Sequence, residues 1–140
     1  MKVITTIATS LVLALGGVFI GVGTAEAAPR SAVVLPKKAT LLADGSLRLT
    51  MKVRCNRQQQ AFEWSVDVRQ GAVYGNDYAG PTAGLITCDG RFHTVRARVV
   101  GANGPYKVGC ARVQALVQLF DEVEGSDVEL EDREVVRIRR

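Results

Sequence analysis

Leu47-Arg48-Leu49-Thr50-Met51-Lys52-Val53-Arg54-Cys55 decides the fold class of this chain. Every second residue is apolar and the residues between are basic or polar. A period of two puts successive side chains on opposite faces of a sheet, so this stretch reads as a half-buried β-strand. The same pattern recurs downstream. Phe62, Trp64, Val66 and Val68 alternate with Glu63, Ser65, Asp67 and Arg69, and Val95, Ala97 and Val99 alternate with Thr94, Arg96 and Arg98. A longer run from Lys107 to Phe120 places Ala111, Val113, Ala115, Val117 and Leu119 on one face. Its other face, with Leu116 and Phe120, is partly apolar, which predicts a cover from the C-terminal segment. There Val136 and Ile138, flanked by Arg137 and Arg139, suggest a last strand.

Turn chemistry separates these runs. Asp44-Gly45 precedes the first long strand, and Asp89-Gly90 is expected to join a strand over Leu85-Ile86-Thr87-Cys88 to the one beginning at Phe92; Asp-Gly between alternating runs is a strong hairpin signal. Gly71 to Gly84 reads as a long loop holding one short strand, and Asn103-Gly104-Pro105 as a further turn. No run after residue 28 has a helical period, and Gly125 limits the acidic stretch Asp121 to Glu134 to a helical turn or two at most. The pattern is all-β: about seven short strands with turns every ~8–12 residues, as in an immunoglobulin-like β-sandwich. A small barrel is the alternative.

The N-terminus has the parts of a secretory signal helix: Lys2, an apolar run from Val3 to Val22, and Ala25-Glu26-Ala27 as a cleavage site. Gly16, Gly17, Gly21 and Gly23 interrupt the run and favour a cleaved leader over an anchor. No cysteine ends the run as a lipoprotein would require. The expected organisation is a signal peptide at 1–27 and one secreted domain at 28–140, extracellular or in the cell envelope. Such a compartment is oxidising and lets cysteines pair.

The 140 residues include three cysteines, and three pairings are open. Strand phase chooses among them. Cys55 shares a face with Leu49, Met51 and Val53, and Cys88 with Ile86, so both point inward; Cys110 is in phase with Arg112 and Gln114 and points outward. The prediction is a Cys55–Cys88 disulfide, with Trp64 packed on it as in sandwiches of this type, and an unpaired thiol at Cys110. That thiol is expected to be partly buried and inert. The alternative is a disulfide-linked dimer or adduct through Cys110.

Charge is segregated. Residues 28–112 hold 13 basic and 5 acidic residues, whereas residues 113–140 hold 4 and 8, with the acidic ones all between Asp121 and Glu134. Arg48, Lys52, Arg54, Arg96, Arg98 and Arg112 are all in outward phase and would form one basic face if their strands are adjacent. Such a face suits an anionic envelope polymer or a protein partner. Nucleic acid is disfavoured, because no aromatic residue interleaves with these positions. Solubility, protection of sheet edges and neutralisation by the acidic segment account for the same charges without a partner.

Catalytic and metal chemistry is hard to find. His93 is the single histidine. Asp89 and His93 form only a fragment of a catalytic set, and a partnership of His93 with Cys110 conflicts with their strand phases. The acidic segment lacks the ordered ligand loop of a calcium site. No nucleophile elbow, phosphate loop or zinc helix is present. The reading is therefore no catalytic residue, no metal and no cofactor.

Leu42-Ala43-Asp44-Gly45-Ser46-Leu47 leading to Cys55, then Cys88-Asp89-Gly90-Arg91-Phe92-His93-Thr94-Val95, then Val108-Gly109-Cys110-Ala111, resemble small secreted proteins of actinobacterial type with an immunoglobulin-like domain of no established function. The likeness covers most of residues 40–119. It implies the fold and the Cys55–Cys88 pair, and no catalytic residue; Cys110 is a departure from it. The expected function is that of a secreted or envelope-associated binding or structural module. The alternative is a small-molecule carrier of the enediyne-apoprotein kind, holding an apolar ligand in a cleft near Tyr74, Tyr78 and Tyr106.

Overall fold

In the computed structural model, which describes residues 30–81 and 86–140, the alternating runs become eight strands: β1 (Ala32–Val34), β2 (Lys38–Leu41), β3 (Leu47–Arg54), β4 (Gln59–Gln70), β5 (Val73–Ala79), β6 (Phe92–Val99), β7 (Gly109–Asp121) and β8 (Ser126–Arg139). The leader expected at residues 1–27 lies outside the described residues. The strands form two layers. In one, β3 pairs with β6 along its whole length, and β1 and β2 share its other edge at opposite ends. In the other, β8, β7, β4 and β5 run side by side, all antiparallel. Strand β2 also pairs in parallel with the end of β8, which carries the hydrogen-bonded path from one layer to the other.

The inward positions meet in a single core. Leu47, Leu49, Met51 and Val53 of β3 and Ala97 and Val99 of β6 are buried in the same cluster as Val66, Val68, Val113, Val117, Leu119, Val136 and Ile138 of the facing layer. Each fully buried Leu, Ile or Val contributes roughly 1.5–3 kcal/mol relative to exposure, so the alternation fixes which face turns in. The fold is an immunoglobulin-like β-sandwich, with one strand more than the sequence suggests.

Several sequence expectations change. The acidic segment makes no helical turn: Glu122 to Gly125 form a tight turn after β7 and the remainder belongs to β8, in register with β7 from Ser126 onward. Asp121 shapes that turn by accepting the N–H groups of Val123 and Glu124 and the side-chain amide of Gln58. The C-terminal segment thus adds to the edge of β7 instead of covering its outward face, and Phe120 remains exposed. In place of a strand over Leu85 to Cys88, the described residues there make one bridge, Ile86 to Ala61. Asp89-Gly90 is a bend whose Gly90 N–H donates to the Cys55 carbonyl, and no hairpin forms. A bulge between Ala61 and Glu63 shifts the phase of β4, so Ala61 is buried and Phe62 only partly so.

The layers also meet along the free edges of β5 and β6. Arg98 N–H donates to Asp77 Oδ2, and Ala102 N–H to the Tyr74 carbonyl. Gly75 sits at this junction, where an added Cβ would lie 2.1 Å from the Val100 carbonyl oxygen.

Candidate functional site

Strands β3 and β6 bring five of the six sequence-predicted basic residues onto one outward face. Their register sets Arg48 opposite Arg98, Thr50 opposite Arg96, Lys52 opposite Thr94 and Arg54 opposite Phe92. Val34 and Ala32 of β1 continue the Lys52 and Arg54 rows, and Thr40 of β2 continues the Arg48 row. Lys38 of β2 shares the phase of Thr40 and adds a sixth cation. No outward position on these four strands carries a carboxylate.

Arg112 is not part of this face. It lies on β7 in the opposite layer, between Arg69 of β4 and Val135 of β8. Phase alone could not reveal this, because it gives the side of a strand and not the layer the strand joins. Arg112 and Arg69 border a hollow of about 1020 Å³ on that outer face, lined also by Tyr74, Asn76, Gln114 and Arg133. Apolar residues, among them Val100, Ala102 and Val135, share its lining with these polar ones.

The contacts of the basic face are sparse. Arg98 forms an ion pair with Asp44 in the β2–β3 turn, and its Nε donates to the Ser46 hydroxyl. This offsets part of the like-charge repulsion from Arg48 directly across the ladder. Arg54 donates to the Arg30 carbonyl and places its guanidinium 4.6 Å from the Phe92 ring centroid, a cation–π contact. Phe92 is thus an aromatic on the face, contrary to the sequence expectation; its signal was its phase, which it shares with Thr94, Arg96 and Arg98. Arg48, Lys52 and Arg96 make no ion pair among the described residues.

The acidic segment does not neutralise these cations. Its carboxylates serve their own layer and its border: Asp132 accepts the Leu35 N–H, Glu134 pairs with Lys37, and Glu131 with Arg133 and the Gln114 amide. Edge protection accounts for Arg96 and Arg98, since among the described strands β6 pairs with β3 alone. It does not account for Arg48 and Lys52, because β3 is flanked by strands on both sides at those residues.

Hydrogen bonds from the Ser46 hydroxyl, then the Ser46 N–H, then Arg98 hold the Asp44 carboxyl down at about 2. A carboxyl depressed in the folded state stabilises fully above its unfolded value near 3.8 and loses that contribution as pH falls toward 2. Asp44→Ala is therefore expected to lower the thermal midpoint at neutral pH, and to lose less than the parent between pH 4 and pH 2. Parallel acid titrations of the two proteins would discredit the Asp44 contacts.

Cys55 and Cys88 are joined by a disulfide, and Cys110 is free and exposed rather than partly buried. The disulfide ties the end of β3 to the segment feeding β6, its own sheet neighbour. Trp64 is buried in the same core cluster as Cys55, and the Cys88 segment also reaches the other layer through the Ile86–Ala61 bridge. His93 Nε2 lies 2.9 Å from Asp89 Oδ1, and this contact is the main cause holding the Asp89 carboxyl below its usual range. Cys110 is on the opposite layer from that pair. The three tyrosines proposed to line a cleft do not gather. Tyr106 is buried in the core with its hydroxyl donating to the Val68 carbonyl, and burial pushes it up to about 12. Tyr74 and Tyr78 are exposed on β5. Among the described residues, no cluster of His, Cys, Asp and Glu could hold a metal ion.

No family model and no curated protein sequence matches this chain. Among solved structures it is similar to murine CRIg, at 10% identity and a TM-score of 0.50, covering 79% of this chain and 99% of that one. A FixG-related protein from Vibrio parahaemolyticus aligns at 19% identity and a TM-score of 0.36, over 79% of this chain and 98% of that one. The similarity to CRIg, an immunoglobulin-like domain, concerns the fold alone.

Proposed function

We propose that this chain is an exported, non-catalytic binding module that holds an acidic macromolecule of its extracellular or envelope surroundings against the outer face of β3 and β6. One observation carries the reading. Arg48 and Lys52 stand on a strand with neighbours on both sides, in a field of cations without an outward carboxylate, where neither edge protection nor internal pairing requires them. Positive charge concentrated on one face attracts polyanions over about a Debye length, with an affinity that falls as salt rises. Export rests on the N-terminal leader pattern and suits a protein built around a disulfide.

Retention on an immobilised sulfated polysaccharide tests the face. The protein is expected to bind at low salt and elute as salt rises. Arg48→Gln, Lys52→Gln and Arg96→Gln together should move elution to markedly lower salt, each lost cation taking about one unit from the slope of log affinity against log salt. Arg69→Gln with Arg112→Gln, on the other layer, should change retention little. Equal losses from both sets would mean that net charge, not this face, does the binding.

A further inference from the structure

We infer that the acidic partner of the β3–β6 face is a second copy of this chain, docking through its β7–β8 hairpin. This rests on the reading of that face as a binding surface and names its occupant. The hairpin exposes Glu122 and Glu124 in its turn and Asp127, Glu129 and Glu131 along the outward side of β8. Of these five carboxylates, only Glu131 is in an ion pair.

Three features match the two surfaces. The first is charge: five acidic side chains on the hairpin face six basic ones that have no outward carboxylate among them. The second is spacing. Asp127, Glu129 and Glu131 recur every second residue of a strand, as do Lys52 and Arg54 of β3 and Arg96 and Arg98 of β6, so both ladders repeat at about 6–7 Å. The third is apolar surface. Val123 at the hairpin tip is 70% exposed and Phe120 stands beside the turn, while Phe92 and Val34, each 44% exposed, flank Arg54 and Lys52. An interface of this make-up combines apolar contact at the Phe92 end of the face with charge pairing along the ladder.

The two surfaces lie on opposite layers of the sandwich, so they cannot meet within one molecule. Contact between copies is head-to-tail: each molecule offers its hairpin to one neighbour and its basic face to another, which builds a ring or an open row according to the rotation between copies. Arg48 beside Arg98, costly in an isolated domain, becomes favourable when an acidic ladder lies over it.

Sedimentation velocity on the protein with Cys110→Ser, which removes disulfide-linked dimers, tests the inference. The expected result is concentration-dependent association at about 20 mM salt that weakens tenfold or more at about 0.3 M, where screening is short-ranged. Two variants then separate the surfaces. Neutralising the hairpin (Glu124→Gln, Asp127→Asn, Glu129→Gln) or the face (Arg48→Gln, Lys52→Gln, Arg96→Gln) should each leave a monomer. Mixing the two should give a one-to-one complex, because each retains the surface the other lacks. A parent protein that stays monomeric at low salt, a variant that still associates alone, or a mixture that stays monomeric would each overturn the inference. Retention on the sulfated polysaccharide would still stand in the first case if the face binds another polyanion, and would fail alongside it if the face binds nothing.

Discussion

Gly75→Ala is expected to lower the folding free energy by about 3 kcal/mol or more, a large share of the total for a domain of this size. The cause is a backbone approach that only a residue without a side chain permits. An added Cβ would stand 2.1 Å from the Val100 carbonyl oxygen and 2.8 Å from the Tyr106 hydroxyl. The carbonyl belongs to the chain leaving β6, and the hydroxyl is held in the core by its hydrogen bond to the Val68 carbonyl, so neither can swing away. Relief requires β5 to separate from the end of β6, which also breaks the Ala102 to Tyr74 backbone bond. Gly125→Ala is the control. That residue, by contrast, has nothing within 4 Å of an added Cβ, and only its φ of +65° penalises the change, by about 1 kcal/mol. Urea denaturation of both variants checks the claim, and equal midpoints would mean that the β5–β6 junction is looser than described.

Replacing Cys55 and Cys88 together by alanine, in a Cys110→Ser background that prevents exchange, is expected to cost about 3–4 kcal/mol. The bridge closes a loop of 33 residues, and the chain-entropy account gives a loop of that size this value. The damage should also be local. The bridge lies just beyond the Arg54 to Phe92 end of the β3–β6 ladder, so amide exchange should quicken there first, at Phe92 to Thr94. Fraying of that end would loosen Phe92 against Arg54 and weaken polyanion retention along with stability. Peptide mapping without reduction settles the pairing itself: a link from Cys110 to either partner would remove the basis of both expectations.

How far the sequence revealed this arrangement depended on whether one period ran uninterrupted. From Leu47 to Cys55 it does, and that stretch gave the strand, its buried face and its outward cations together. In β8 the period is present but masked, since the inward positions read Val128, Leu130, Asp132, Glu134, Val136, Ile138. The two carboxylates in that row serve the Leu35 N–H and Lys37 at the border between layers, so acidic residues fill what reads as an apolar series. In β4 the bulge after Ala61 inserts a residue, and a strict period misses that Ala61 is buried while Phe62 is only partly so. Arg112 shows a third limit: strand phase says outward, and only the order of strands says outward from which layer. Arg69, its neighbour beside the hollow, had no signal beyond its own phase.

The most direct test of the basic face as a binding surface is an amide shift map of the labelled protein titrated with a short sulfated oligosaccharide and, separately, with polyglutamate. The account predicts shifts concentrated at Arg48 to Lys52 and Thr94 to Arg98, reversed by salt and absent after Arg48→Gln, Lys52→Gln and Arg96→Gln. Shifts centred on Arg69 and Arg112, or none at low salt, would contradict it.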